Sequence, residues 1–183
     1  MNASFAHRFL NEWTFVCERH KEKLLANYYD KKPYTLMVHE DEGCIIEEIA
    51  KGMGLLWARE YYGVDAVFYT DDDLVPERLG GTWLRGIKIA FEHEHNYYKR
   101  LYEEISHLLI VHSELSVLVT YPPLGDHQSL RHIDGFHRLI KGSPRRTEHN
   151  AKENFLMIFG YDKPWGWKGL VYKDDGWKQI GGI

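Results

Sequence analysis

The chain has 183 residues, 44% hydrophobic and 27% charged, with a formal net charge of -4 when histidine is neutral. This is ordinary globular usage, and it excludes a disordered tail, a collagen-like repeat and a disulfide scaffold. The mild acidity argues against coating nucleic acid by bulk charge and leaves room for a local basic patch.

Residues 4–29 place Phe5, Phe9, Trp13, Val16, His20 and Leu24 at intervals of three or four, predicting one amphipathic helix. Lys31-Lys32-Pro33 is its expected stop, since Pro33 has no helical donor. A shorter helix is expected over 42–51, with Asp41 as N-cap, an Ile45/Ile46/Ile49 stripe and Lys51-Gly52 as the stop. The period then falls from 3.6 to 2. Strands are expected over 55–61, 64–70 and 86–94, the first two joined by a tight Tyr62-Gly63 turn. Helical spacing returns over 98–112, followed by a strand at 116–121 that is apolar throughout, the pattern of a strand buried on both faces. Pro122-Pro123 ends it.

A helix over 127–141, a polar and basic loop over 142–152, and strands over 154–161, 169–173 and 177–180 complete the chain. Asp174-Asp175-Gly176 makes a hairpin of the last two. The strand–helix–strand unit over 86–121 should be a parallel crossover, and the tight turns before it argue for antiparallel pairing. The expectation is an α/β protein, a central mixed sheet flanked by helices. It forms a single domain over 1–183, with a core at about 41–121, the N-terminal helix 4–29 and C-terminal elements over 127–183. Cys17 and Cys44 stand alone with no CxxC pair, which excludes thiolate zinc sites and fits buried thiols in a reducing cytoplasm. No apolar run approaches the roughly 18 residues that span a bilayer, so no membrane association is expected.

Chemistry concentrates in Phe91-Glu92-His93-Glu94-His95, where a core strand ends in alternating carboxylates and imidazoles. Alternation places Glu92 and Glu94 on one face and His93 and His95 on the other. Asp65, near the start of the neighbouring strand, approaches Glu92 if the two strands pair. Glu48 flanks the apolar stripe of the second helix and could hang over the same sheet edge. Carboxylates and a strand carbonyl are hard oxygen ligands, suited to magnesium or manganese.

Helix, three meandering strands, helix and strand, with Asp65 and then Glu92-His93-Glu94 closing the third strand, resembles the PD-(D/E)XK nuclease superfamily, the restriction-endonuclease-like fold. The resemblance covers about 41–121, with a C-terminal β-hairpin as an addition. It implies a divalent-metal-dependent phosphodiesterase acting on nucleic acid, expected to be DNA. Asp65 and Glu92 would be metal ligands, with Glu48 the helix-borne acid. The family lysine is replaced by Glu94, which would orient water or bind a second cation. Lys88 on the same face lies roughly 13 Å from Glu92 at about 3.3 Å per residue, so Lys99 or Arg100 would have to supply the missing positive charge. Lys141, Arg145, Arg146 and Lys152 would hold a nucleic-acid backbone. Homodimerisation follows by analogy only.

The alternative is a nuclease fold that has lost its chemistry and serves as a binding or assembly module. On other positions the plain reading prevails. Asp71-Asp72-Asp73 is a solvated loop, His107 a solvated helix residue, and Trp165 and Trp167 cover one side of the C-terminal strands. His93 and His95 lack the following residues that zinc-binding His-x-His folds require.

Overall fold

The computed structural model of the protein describes residues 4–75, 80–98, 100–123, 127–145, 147, 149 and 152–182. Seven strands form one sheet in chain order: β1 (Leu56–Tyr61), β2 (Val64–Tyr69), β3 (Ile89–Glu94), β4 (Leu115–Thr120), β5 (Phe155–Asp162), β6 (Trp165–Lys173) and β7 (Gly176–Gly182). β1 to β3 pair antiparallel, β3 to β5 parallel, and β5 to β7 antiparallel again. The fold is therefore α/β around a mixed sheet. Its outer turns are tight because Tyr62-Gly63 and Asp174-Asp175 take positive φ at both central positions, the requirement of a two-residue hairpin that matches strand twist.

Helices cover both faces. On one side lie α1 (Phe5–Arg19), α2 (Lys21–Asn27), α3 (Lys31–Thr35) and α4 (Ile45–Met53). The other side carries α5 (Leu101–Ile110) and α6 (His127–Gly142). Strand alternation divides the core accordingly. Ile89 and Phe91 of β3 and Val117 and Val119 of β4 pack under Phe9, Trp13, Ile46 and Ile49. Ala90 and Leu118 point the opposite way, towards Leu101, Ile105 and Leu108 of α5 and Phe136 and Ile140 of α6. No helix among the described residues is long and apolar enough to cross a membrane.

Several boundaries differ from those the sequence predicts. The helix expected over 4–29 breaks at His20, whose φ of -99° and ψ of 8° interrupt the helical path; its ring is tied to Glu48 by a 2.8 Å contact. Pro33 does not end a helix but sits in the first turn of α3, where its missing N–H leaves no bond unmade. Cys44, not Asp41, caps α4, and Gly54 in the left-handed region closes it. β3 starts at Ile89, and β6 extends back to Trp165, so the C-terminal strands form a three-stranded antiparallel edge of the main sheet rather than an appended hairpin. Cys17 and Cys44 are both free and buried.

Gly160 in β5 marks a close approach: a Cβ there would meet Trp167 at 2.5 Å and Tyr121 at 2.7 Å. Gly160→Ala should lower stability by about 1–3 kcal/mol in urea unfolding. Gly142→Ala, with nothing within 4 Å, should stay within about 0.5 kcal/mol of the parent.

Candidate metal centre

β2 and β3 stay paired only as far as Ala66 and Phe91. The next two residues, Asp65 and Glu92, carry on with side chains what the backbones no longer do. The Asp65 N–H donates to Glu92 Oε2 at 3.2 Å, and the His93 N–H donates to Asp65 Oδ2 at 2.8 Å. Each carboxylate is fixed by the main chain of the other's strand, so both are held in place without any cation.

α5 lies over the same end of the sheet and adds Glu104 and His107, three residues apart and hence on one helical face. His107 Nδ1 stands 3.3 Å from Glu92 Oε1 and 3.4 Å from Glu104 Oε2. One ligand-type atom from each of Glu92, Glu104 and His107 lies within 4.8 Å of the other two. Glu92 is 2% exposed, while the His107 side chain remains partly open to solvent.

This arrangement is electrostatically unfavourable as it stands. Burial, then the neighbouring Asp65 and Glu104 carboxyls, push the Glu92 carboxyl well above the usual range. Burial, followed by Asp65, also raises the Glu104 carboxyl, with His107 opposing and Glu94 adding to the repulsion. Among oxygen-rich donor sets, two carboxylates joined by an imidazole nitrogen suit manganese or another transition metal better than magnesium, which prefers oxygen alone.

Asp65 and Glu92 thus stand side by side, as expected from strand alternation. Glu94 follows on the same face, its Oε1 accepting the Asn96 N–H. Glu48 does not join them. Its carboxylate is held by His20 Nε2 at 2.8 Å and Arg19 at 3.2 Å, because α4 packs along α1 and turns Glu48 towards that helix. Arg145 is not a free phosphate contact either: it donates to the carbonyls of Val111 at 2.8 Å and Ser113 at 3.3 Å, where the chain leaves α5. Lys88 is spent on Glu114 at 2.6 Å. Arg100 and Lys141 are exposed, and Lys99 and Arg146 lie outside the described residues. Glu104 and His107 are the residues that sequence reasoning missed. His107 is not simply solvated, and the acid-x-x-His spacing on α5 was the available signal.

The other face of β3 is a closed aromatic layer. His93 stacks on Tyr34 with centroids 5.9 Å apart and meets the Tyr121 hydroxyl at 3.0 Å through Nε2. His95 stacks on Tyr121 at 4.6 Å. Burial, then the nearby His39 and His95, hold the His93 imidazole well below its ordinary value. Trp167 packs edge-on against Trp13, covering the C-terminal strands as expected.

Comparison with protein families, curated proteins and solved structures returned no match.

The two faces of β3 give opposite pH dependence. Glu92 has a raised folded-state value, so the stability it permits below its ordinary 4.5 is lost as pH rises above that point. His93 has a depressed one, so its contribution is present above 6.5 and lost as pH falls below it. Glu92→Gln removes the first trend and leaves the second. Without metal, the variant should melt above the parent at pH 8, by roughly 2–4 °C for each kcal/mol relieved, and the gap should close towards pH 4.5. A constant gap across that range would show that Glu92 is not the titrating group.

Proposed function

We propose that the protein is a divalent-metal-dependent phosphodiesterase acting on nucleic acid, with a restriction-endonuclease-like core spanning α4 to β4. The observation that carries this reading is the convergence of Asp65, Glu92, Glu104 and His107 where β2 and β3 part. The element order supports it: a helix, an antiparallel three-strand meander, a crossover helix and a parallel fourth strand, in the arrangement that the sequence resemblance implies.

Glu92, Glu104 and His107 would hold the metal, manganese by preference. Asp65, whose Oδ2 takes the His93 N–H, would offer its other oxygen. The metal when bound would act as a Lewis acid on the phosphate and lower the pKa of a water molecule. The chain's own part is positional. Asp65 and Glu92 are fixed by backbone donors before any ligand arrives, so little reorganisation is needed at the moment of reaction.

Arg100, four residues before Glu104 at the start of α5, would reach a phosphate oxygen over the site. It would take the charge-offsetting role of the absent lysine. Glu94 would orient the attacking water. That water adds to phosphorus as the P–O bond to the leaving sugar oxygen breaks, giving a phosphomonoester and an alcohol.

Calorimetric titration with manganese should show binding to the parent and a loss of at least about tenfold in affinity for Glu92→Ala and His107→Ala. Glu48→Gln should bind as the parent does. Absence of binding in the parent would overturn the metal reading. Arg100→Ala should bind manganese normally and lose hydrolysis of an activated phosphodiester by roughly ten- to a hundredfold.

The replacement of the family lysine by Glu94, with Lys88 committed to Glu114, favours a second reading, a nuclease-like fold that binds metal without cleaving. Manganese binding with no turnover on any nucleic acid would select it.

A further inference from the structure

A crevice of about 550 Å³ opens beyond the carboxyl ends of the parallel strands β3, β4 and β5. This is the position at which open α/β sheets bind ligands, and the size is that of a small-molecule site. Its walls come from four separate stretches of the chain, around 28–31, 95–98, 121–123 and 161–163. Their composition is unusual: Tyr28, Tyr29, Tyr97, Tyr98, Tyr121 and Tyr161 all line it.

The tyrosines are graded in depth. Tyr28, Tyr97 and Tyr121 are nearly buried and form the floor, whereas Tyr29 and Tyr98 are 80% and 43% exposed at the rim. On one side the floor is braced by the core: Tyr28 and His95 stand against Tyr121 at 5.6 and 4.6 Å between centroids. Tyr29 is braced by its hydroxyl, which donates to Asp162 Oδ2 at 2.5 Å. Lys31 and Lys163 also line the crevice, and neither has a carboxylate partner among the described residues. Flat, rigid aromatic faces beside free ammonium groups match a planar ring that carries a phosphate.

The crevice adjoins the acidic centre along the chain. His95 and Asn96 in its wall follow Glu94 directly, and the Asn96 N–H is bonded to Glu94. Glu92 precedes His95 by three residues, roughly 10 Å along a strand, about one to two nucleotides of an extended single strand.

We infer that this tyrosine-lined crevice receives an unstacked base of single-stranded nucleic acid, with Lys31 and Lys163 on its backbone, while a neighbouring phosphate lies at the acidic centre. The inference rests on the proposed function for that last element; the base pocket stands on its own residues. A duplex keeps its bases stacked and cannot present one here without extrusion, so the site selects single strands. Stacking makes it tolerant of sequence.

The test is fluorescence anisotropy of a labelled 12-nucleotide single strand in EDTA, which prevents cleavage. The parent should bind it more tightly than the matching duplex and than a strand of the same length with abasic sites. Tyr98→Ala and Tyr29→Ala should each weaken binding about tenfold, and Tyr98→Phe, which keeps the ring, should bind as the parent does. Equal binding by both alanine variants and the parent, equal binding of the abasic strand, preference for duplex, or no binding by the parent would each overturn the inference. So would competition by a mononucleotide as strong as that by the strand. Manganese calorimetry on Tyr98→Ala separates the two readings. Retained metal binding with lost strand binding assigns the crevice, whereas strand binding by a parent that binds no manganese leaves the crevice standing and removes the metal centre.

Discussion

Where β2 and β3 separate, the main-chain N–H groups of Asp65 and His93 lose the carbonyl partners that a continuous ladder would supply. The chain answers with carboxylates, each reaching across to the other strand. An unsatisfied buried donor costs about 1–3 kcal/mol, so this exchange holds the divergence open at tolerable cost. The opening then determines much else. It leaves the β2 side of β3 unpaired from Glu92 to the turn at Asn96, and it places Glu92 under α5.

Strand β3 serves two environments because its side chains alternate. Glu92 and Glu94 face α5, where charge accumulates, and His93 and His95 face an aromatic layer. His39 connects them: its Nε2 lies 3.9 Å from Asp65 Oδ2, and its ring stands 5.6 Å from that of His93. Burial holds the His93 and His95 imidazoles below their ordinary value, which favours the uncharged ring beneath the carboxylates. Tyr121 carries the same layer outward, meeting His93 on one side and lining the crevice on the other. The aromatic core and the proposed base pocket are therefore one continuous structure.

The legible parts of the sequence were those governed by local period. Alternation placed Glu92 and Glu94 opposite His93 and His95, because strand periodicity fixes the face, and Asp65 came beside Glu92 once β2 and β3 paired across the long connection between them. What failed depended on neighbours that no local pattern names. The spacing of Glu48 shows which side of α4 it occupies but not that Arg19 and His20 wait there. Arg145 reads as a basic loop residue, yet the carbonyls of Val111 and Ser113 needed a donor and took it. Glu104 carries no signal of its own and His107 reads as solvated, because the apolar stripe of α5 is set by Leu101, Ile105 and Leu108. Sequence-distant packing, by contrast, decides whether an acid on a helix becomes a ligand or a salt-bridge partner.

Glu94 bears directly on this balance. A lysine at that position would stand on the carboxylate face of β3 and offset Glu92 and Asp65 from within the fold. With glutamate there, Asp65 and Glu92, drawn together by backbone bonds, and the nearby Glu104 gain a further acidic neighbour, and the partly exposed His107 is the nearest counterweight among the described residues. The fold still holds Glu92 at 2% exposure, although a buried carboxylate without full compensation is destabilising. Such a group is tolerated in a core either protonated or beside a cation, and the geometry leaves the second route open from the side of His107. The carboxylate of Glu94 therefore adds to the demand for positive charge at this site.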